Sequence, residues 1–403
     1  MRKKIAVLLS SLICAHLFSE EISLEKAVEM AYLNNKTLKI NQKNVEKSEY
    51  QIKIIESGYF PTLTGSAGIS KNEGNKSSEN SGITLNYNLF SGGETTAKYK
   101  AAILDKTLSE NSFEQSRNDV RLNIIKLYTN ILKNKKDIEI YNESLNVVEK
   151  EYTKAKILFE GNMSSRIDLI QFEQEMLTIK ANIESSKKEY EDNIFSLKNE
   201  IGYMSDDEIQ FVEPIENSSN INFESDYNEY LKNSSFSRER DATISSAKEV
   251  LKASNSAYFP KVDFSLGYSS SDKFVEDWNY RASLSLNYNF FDFGNRKATI
   301  DSSKVEYEKI KLTYQKKQDE KKEGLKSAAN SVELSKRLLL LKDKRVELAR
   351  EKYKINKVKY DNQYLSVEDF IKEEDNLRAE ERELYKLKME YIFNLEQYKS
   401  LLY

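Results

Sequence analysis

The sequence predicts a mainly α-helical chain with a transmembrane β part, built from two copies of one helix-strand-strand-helix-helix unit. Three observations lead to this fold class. Short motifs recur at a nearly fixed interval, residues 95–160 and 296–361 contain almost no helix breakers, and four short segments alternate apolar and polar residues. The first pattern indicates a tandem duplication, the second indicates long helices and the third indicates strands.

The duplication is visible as repeated local motifs. Tyr59-Phe60-Pro61 recurs as Tyr258-Phe259-Pro260, and Leu85 to Phe90 recurs as Leu286 to Phe291. The offsets are 199 and 201 residues, and the offset of 201 persists toward the end of the chain. The expected parts are a signal peptide at 1–19, a first repeat at 20–203, a linker at 204–222 and a second repeat at 223–403.

The first 19 residues have the pattern of a secretory signal peptide. A basic start, Met1-Arg2-Lys3-Lys4, precedes the short apolar run from Ile5 to Phe18. We expect cleavage after Ser19, with Ala15 as the alternative. Lipidation of Cys14 is a further alternative, which we favour less because the residues before it are not the small ones that such a site requires.

Composition then excludes several kinds of chemistry. Cys14 and His16 are the only Cys and His of the chain, so cleavage would remove both. Without them there is no Cys or His nucleophile, no His or Cys zinc site and no disulfide, and we expect no enzyme activity and no cofactor. Cleavage would also remove three of the 62 basic residues and leave 59 against 65 acidic ones. The mature chain would then have a net charge of −6, which disfavours a nucleic-acid partner.

The long segments carry coiled-coil patterns. Apolar residues alternate steps of four and three in 95–160, beginning with Val120, Ile124, Leu127 and Ile131, and the same register holds at an offset of 201. Return helices are predicted at 164–203 and 366–402. Gly161-Asn162 and Asn362-Gln363 end the long helices, which predicts left-handed caps at two tight helical hairpins. Each hairpin would place its turn about 100 Å from the strands.

The hairpins predicted at 61–90 and 260–291 alternate cleanly between apolar and polar residues. In the last strand, expected at 281–290, Leu284, Leu286 and Tyr288 share one face. Aromatic residues gather at the strand ends, as they do at membrane interfaces. A half-buried sheet packed on the helices would alternate in the same way, but the export signal and the pure polar face favour strands that cross a membrane.

Four strands are too few to close a transmembrane barrel. Known barrels need at least about 8 strands, and an open edge in lipid is forbidden, so other copies of the chain must supply the rest. Two copies would give 8 strands with an interior filled by side chains, whereas three copies would give 12 strands and room for water. A polar channel therefore favours a trimer.

The doubled order of these motifs resembles the TolC-type outer-membrane efflux proteins. The order is Tyr-Phe-Pro before a strand, an aromatic strand end before Ser91-Gly92-Gly93, a long helix, a turn, and then Asp168-Leu169-Ile170 or Asp369-Phe370-Ile371. The resemblance covers the whole mature chain. It implies a homotrimer with a 12-stranded β-barrel in outer-membrane lipid and a 12-helix α-barrel across the periplasm. Half-length helices would span Leu24 to Ser57 and Phe223 to Ala257.

The resemblance also implies partners and sites. A periplasmic adaptor (membrane fusion) protein and an inner-membrane transporter would dock at the hairpin turns, and the conduit itself would be passive. The docking candidates are Gly161, Asn162, Ser164, Asn362, Gln363 and Tyr364. In some members two acidic residues three apart narrow the channel entrance. Asp369 matches the first of these positions and Lys372 occupies the second, so one ring of Asp369 side chains is implied, with Asp168 as its first-repeat counterpart.

Two alternatives remain at this point. Asp168 and Asp369 also fit acidic residues that stabilise helix N-termini. The chain as a whole also fits an exported helical scaffold or adaptor whose sheets are small packed domains, although it lacks the lipoyl-like β-domain of periplasmic adaptors. The leading interpretation is the channel component of a tripartite efflux or type I secretion system.

Overall fold

A computed structural model describes residues 20–71, 78–205, 209–214, 221–270 and 278–402. The predicted signal peptide, with Cys14 and His16, lies outside the described residues. So do residues 72–77 and 271–277 of the two predicted hairpins and parts of the predicted linker. Most of the described chain is helical, as the sequence predicts.

The helices follow the doubled order along the chain. The first repeat holds α1 (Leu24–Asn34), α2 (Lys36–Glu56), α3 (Glu94–Glu160) and α4 (Arg166–Ile201). The second holds α5 (Phe223–Asn233), α6 (Ser235–Asn255), α7 (Asn295–Asp361) and α8 (Val367–Leu402). Both α3 and α7 contain 67 residues. Among these helices of the described residues, none has the length and apolar character needed to cross a bilayer.

The predicted helices at Leu24 to Ser57 and Phe223 to Ala257 are each two helices, which corrects the sequence prediction. Asn35 separates the first pair, and its Oδ1 accepts hydrogen bonds from the backbone N–H groups of Thr37 at 2.9 Å and Leu38 at 3.2 Å. Ser234 separates the second pair, and its Oγ accepts from the N–H of Ser237 at 3.1 Å. Both residues are strong N-caps, which favour the start of a new helix.

The strands form one antiparallel sheet in the order β2-β3-β5-β6. Their bounds are β2 Thr62–Ser70, β3 Ser78–Phe90, β5 Lys261–Ser270 and β6 Asn279–Asn287. Leu63 pairs with Leu85, Leu85 with Leu266 and Leu266 with Ala282, so each apolar face continues across the sheet. Within the described chain, β2 and β6 each pair along one side only.

Strand β6 ends three residues earlier than predicted, at Asn287 rather than at residue 290. The guanidinium of Arg296 contacts the segment that follows the strand, donating to Tyr288 Oη at 3.1 Å and to the Asn289 carbonyl at 2.5 Å. Phe293 then turns the chain with a positive φ of 54°. The corresponding turn of the first repeat needs Gly92, since a Cβ there would lie 2.7 Å from the Ser256 carbonyl.

A second, two-stranded parallel sheet was not predicted. It pairs β1 (Glu20–Ile22) with β4 (Ile209–Phe211), which lies in the predicted linker. Tyr128 of α3 contacts the backbone at the end of β1 and just after β4. Its fully buried hydroxyl lies 2.8 Å from the Ile22 carbonyl and 2.7 Å from that of Val212, and it accepts from the Val212 N–H at 2.9 Å.

Two compact units make up the chain. The first comprises Met1–Leu33, Ile124–Ser218 and Val346–Met389, and its core centres on Phe172 and Phe370. The second comprises Asn34–Asn123, Ser219–Arg345 and Glu390–Tyr403. It contains the four-stranded sheet and a core with a row of adjacent aromatic rings. Those rings are Phe223, Tyr227, Tyr230, Phe236 and Tyr314.

Candidate functional site

The first helical turn joins α3 to α4 and contains three of the docking candidates. At the C-terminal end of helix α3, the N–H of Gly161 donates to the Ile157 carbonyl at 3.1 Å and that of Asn162 to the Phe159 carbonyl at 2.9 Å. Asn162, not Gly161, adopts the left-handed conformation, with φ of 57°. Gly161 and Asn162 are exposed and Ser164 is half-buried.

The second turn repeats this geometry between α7 and α8. Asn362 donates to the Val358 carbonyl at 3.2 Å and Gln363 to that of Tyr360 at 2.9 Å, and Gln363 has φ of 64°. The predicted left-handed caps are therefore confirmed. Tyr364 projects from this turn with 84% of its surface exposed.

Asp168 and Asp369 both act as helix-capping residues. The Ser164 hydroxyl and the Ser165 N–H donate to Asp168 Oδ2 at 2.9 and 3.2 Å. The Ser366 hydroxyl donates to Asp369 Oδ2 at 2.7 Å and accepts from the Asp369 N–H at 3.1 Å. These contacts match the helix-start alternative. Asp369 nevertheless remains exposed, as does Lys372 one turn further along α8.

Next to the turns the first unit contains a partly buried aromatic and ionic layer. Tyr360 stacks on Phe370 with ring centroids 4.4 Å apart. Lys357 donates to Glu151 at 2.9 Å and to Asp361 at 2.7 Å. Burial acts to lower the pKa of Lys357, but the two carboxylates outweigh it and raise that pKa. This layer ties α3 to α7.

A second buried ion network lies further along α8. The Glu374 side chain is 1% exposed and accepts from Arg378 Nε at 2.8 Å. Arg378 also contacts Glu143 on α3 and Glu381, both at 3.1 Å. Burial raises the pKa of Glu374 although Arg378 opposes it. Among the described residues, Glu374 Oε2 has no hydrogen-bond partner.

Two carboxyl groups meet between the return helices. Glu175 of α4 shares a hydrogen bond with Asp375 of α8. Burial first, and then the negative charge of Asp375, raises the pKa of Glu175 to about 7. One proton shared by the pair relieves the repulsion of two adjacent carboxylates. Within the described part of the chain, no group of three or more His, Cys, Asp or Glu side chains is placed to hold a metal ion.

None of these buried charges was predicted from the sequence. Segments rich in Lys and Glu have the composition of a solvated helix face, and Glu374, Arg378 and Glu151 lie on such segments. The duplication itself offers one usable signal. Arg378 corresponds to Leu177 at the offset of 201, so a charged residue replaces an apolar one at matched positions of two return helices.

The sheet presents an exposed apolar face. Leu284 and Leu286 of β6 are about two-thirds exposed, at 69% and 67%, and Tyr280 is 81% exposed. Leu63 of β2, at the other edge, is 70% exposed. An apolar face on this scale requires covering by lipid or protein.

The chain belongs to the outer membrane efflux protein family. The model of that family matches residues 27–202 and 227–363, one segment in each repeat. This confirms the TolC-type resemblance, and the family is one of transport channels rather than of enzymes. A comparison with curated protein sequences finds no significant match.

Solved structures of outer-membrane channels share the fold at low sequence identity. CmeC of Campylobacter jejuni is 16% identical with a TM-score of 0.82, over 94% of this chain and 85% of that one. The open state of MtrE of Neisseria gonorrhoeae is 17% identical with a TM-score of 0.78, over 94% and 88%. VceC of Vibrio cholerae is 12% identical with a TM-score of 0.76, over 94% and 95%.

Proposed function

We propose that the chain is the outer-membrane channel of a tripartite efflux or type I secretion system, a passive trimeric conduit across the outer membrane and the periplasm. One observation carries this proposal. Among the described residues, the edge strands β2 and β6, of nine residues each, pair with a neighbouring strand along one side only, and the sheet has a continuous exposed apolar face. Free edges in lipid are forbidden, so a lipid-facing sheet of this kind needs edge partners.

The strand order supports closure by identical copies. The four strands alternate in direction, so β6 of one copy would meet β2 of the next in antiparallel orientation. Three copies give the 12 strands expected from the sequence. Leu284, Leu286 and Tyr280 would then face outer-membrane lipid, and the polar face would line the channel.

The signal peptide at 1–19 would direct export, and the repeats at 20–203 and 223–403 would each contribute half of a protomer, joined by the linker at 204–222. The parallel pairing of β4 with β1 would attach this linker to the start of the first repeat. A periplasmic adaptor would bind at the two helical turns. It would connect the channel to an inner-membrane transporter, which would supply the energy for export.

Conductance in planar bilayers tests the channel. We expect discrete conductance steps from the detergent-purified protein and a trimer by native mass spectrometry. A mature protein that stays monomeric and water-soluble without detergent would exclude this function.

Docking is tested at Tyr364, whose side chain is exposed at the second turn. We expect Tyr364→Glu to abolish export while trimer assembly and conductance remain, and Tyr364→Phe to retain export. Bulky changes at Asn162, Ser164 or Asn362 should act in the same way. Export that persists in all these variants would place the adaptor contact elsewhere.

The entrance role of Asp369 is separable from its capping role. Asp369→Asn keeps a side-chain oxygen that can cap the helix but removes the charge. If a ring of Asp369 side chains narrows the entrance, this variant should lose cation preference or block by divalent cations. Ser366→Ala is the control, because it removes the capping partner and keeps the charge. Lys372→Asp should strengthen the block by adding a second acidic ring.

A further inference from the structure

The polar face of the four-stranded sheet carries few charges. Cross-strand pairing places its residues in rows, and one row consists of Thr64, Thr84, Gly267 and Arg281. The rows on either side contain only Ser, Thr, Asn and Gly: Thr62, Asn86, Ser265 and Ser283 in one, and Ser66, Gly82, Ser269 and Asn279 in the other. In these three rows of the described sheet, Arg281 is therefore the only charged residue.

Arg281 lies on the opposite face of β6 from the exposed apolar side chains. It precedes Ala282 and alternates with Ala282 and Leu284 along the strand, and Ala282 pairs with Leu266 of the apolar face. Successive side chains of a strand point to opposite faces of the sheet. In the proposed channel the apolar face contacts lipid, so the side chain of Arg281 would project into the lumen.

Within the described sheet no neighbouring side chain neutralises this guanidinium. Gly267, directly opposite on β5, has no side chain, and a Cβ there would have no heavy atom closer than 3.8 Å. The edge strand β2, which would meet β6 of the next copy, has no charged residue between Thr62 and Ser70. Arg281 is exposed, and among the described residues its side chain forms no ion pair or hydrogen bond.

The two other charged residues of the described polar face each have a partner. Lys261 forms an ion pair with Glu94 of α3 at 3.0 Å, and Asp263 accepts a hydrogen bond from Asn88 at 2.7 Å. Asp263 lies four residues along β5 from the position opposite Arg281, which is about 13 Å at the rise of a strand. This distance exceeds the Debye length of about 8 Å at physiological ionic strength, so Asp263 compensates the charge of Arg281 only weakly.

Arg281 lies near the end of the sheet that is remote from α6 and α7. Strand β6 begins at Asn279, so Arg281 is its third residue and lies close to the segment that joins β5 to β6. Trp278 stacks on Tyr268 with ring centroids 4.7 Å apart, and Tyr280 is 81% exposed. Aromatic residues concentrate where a membrane meets water. Arg281 would therefore lie at the outer mouth of the proposed channel.

We propose that the Arg281 side chains of three copies form a basic ring at the outer mouth, which favours anions and binds solutes that carry several phosphate or carboxylate groups. The inference rests on the proposed trimeric channel and names a residue that sets its selectivity. A guanidinium pairs with such oxyanions through two parallel N–H donors, which makes arginine well suited to this role.

The expected effect of the ring follows from the width of the channel. A 12-stranded barrel has a backbone radius of about 12 Å, from a strand spacing of about 4.8 Å and a tilt of about 40°. The charges thus act on the channel axis from a distance close to the Debye length of about 10 Å at 0.1 M salt. Three unit charges at this distance change the ratio of anion to cation permeability by about threefold.

Reversal potentials across planar bilayers in a KCl gradient test the ring. We expect Arg281→Gln to lower the ratio of chloride to potassium permeability by about threefold near 0.1 M salt. The same variant should lose the block caused by inorganic pyrophosphate added at the extracellular side. Arg281→Lys should keep the permeability ratio and weaken the pyrophosphate block, because an ammonium group lacks the bidentate fork.

Ser283 offers a matched control, since it lies on the same face of β6 one row further from the mouth. Ser283→Gln adds bulk without charge and should leave the permeability ratio unchanged. Ser283→Arg added to Arg281→Gln should restore the anion preference, because it rebuilds the ring about 7 Å away along the strand.

The outcomes separate this inference from the channel function. An unchanged permeability ratio in Arg281→Gln trimers that conduct, or no recovery in the variant with Ser283→Arg, would overturn the ring and leave the channel intact. Loss of trimer assembly in both Arg281→Gln and Arg281→Lys would assign the residue to folding and also overturn the ring. A wild-type protein that is monomeric and does not conduct would overturn both proposals.

Discussion

The two helical hairpins of the first unit share one geometry but differ in where they place charge. In the first repeat, Glu149 pairs with Lys180 at 3.6 Å, and at the offset of 201 Arg350 pairs with Glu381 at 2.9 Å. The same positions form the same bridge with the signs exchanged. Duplication has thus preserved the contact and reversed its polarity.

A second pair of matched positions differs in burial. Tyr152 donates to Glu173 at 2.9 Å on the surface of the first hairpin. Of the matching residues, Glu374 is fully buried and Tyr353 is half-buried, and burial and then the charge of Glu374 raise the pKa of the tyrosine. Identical spacing therefore gives a solvated contact in one repeat and a buried one, completed by Arg378, in the other.

Among the substitutions that test this comparison, removal of Arg378 should cause the largest loss of stability. Arg378→Leu leaves the buried carboxylate of Glu374 without its cation, which costs about 3–5 kcal/mol of unfolding free energy. Denaturant unfolding of the detergent-solubilised protein measures this loss of unfolding free energy. Leu177→Ala, at the matching exposed position of the first repeat, should change stability by less than about 0.5 kcal/mol.

The double variant Arg378→Leu/Glu374→Leu separates the two parts of that cost. If the uncompensated charge dominates, the double variant should recover most of the lost stability, since apolar replacement of a buried pair is often neutral. A double variant as unstable as Arg378→Leu would assign the loss to packing and contradict the electrostatic account.

Tyr128 distinguishes the repeats in a different way, because its counterpart at the offset of 201 is Ala329. Tyr128→Phe removes the hydroxyl that contacts Ile22 and Val212 and leaves their backbone groups without that partner. We expect a loss of about 1–3 kcal/mol, the cost of unsatisfied buried polar groups. Hydrogen exchange at residues 20–22 and 209–212 should accelerate in the variant.

The matched control is Tyr152→Phe, which removes a partly exposed hydroxyl from its contact with Glu173. This change should alter stability much less, since water replaces the lost partner. Equal effects of the two substitutions would show that the Tyr128 hydroxyl does not hold the parallel sheet.

The Glu175–Asp375 pair predicts that folding stability depends on pH, with an effect of intermediate size. The folded chain keeps a proton on Glu175 up to a pKa of about 7, whereas the ordinary value is 4.5. The stabilisation is therefore complete below pH 4.5 and is lost as the pH rises to 7. After allowance for the partial exposure of Glu175, the change should be about 1–2 kcal/mol.

Glu175→Gln should flatten this part of the pH–stability profile, because the amide keeps the hydrogen bond without the ionisation. Gln174→Ala, on the same helix, should leave the profile unchanged, because it alters no ionisable group. A profile that keeps its slope in Glu175→Gln would assign the pH dependence to other carboxyl groups.

Periodic features of the fold were predictable from the sequence. Heptad spacing and the rarity of Gly and Pro predicted α3 and α7, and alternation predicted the strands, because both patterns extend over many residues. The caps at Asn162 and Gln363 were predictable from local residue type and position. The family was predictable from the doubled order of motifs.

Features that depend on a single residue or on distant pairing were not predictable. Strands β1 and β4 have three residues each and are far apart in sequence, so neither forms a periodic pattern. The helix breaks at Asn35 and Ser234 rest on single caps inside otherwise helical segments. The Glu374 network has the composition of a solvated helix, and its burial depends on the packing of α8 against other helices, including α3.

The exchanged charge pairs predict the smallest effect and the most specific one. Glu149→Lys places two cations together and should destabilise the first hairpin by about 0.2–1 kcal/mol, the range for exposed pairs. Adding Lys180→Glu should restore stability by recreating the polarity of Arg350 and Glu381. A double-mutant cycle in denaturant measures this coupling, and a coupling of zero would mean that the 3.6 Å contact contributes nothing.

The opposite polarity of the two bridges should also influence which return helix pairs with which long helix during folding. With native charges, α3 attracts α4 and α7 attracts α8, whereas exchange of the return helices would place Glu149 opposite Glu381 and Arg350 opposite Lys180. Like charges in contact disfavour that arrangement. The double reversal Glu149→Lys/Lys180→Glu removes this discrimination while keeping the native bridge, so it should lower the yield of refolded protein at unchanged final stability. An unchanged refolding yield would show that the reversed polarity has no part in pairing.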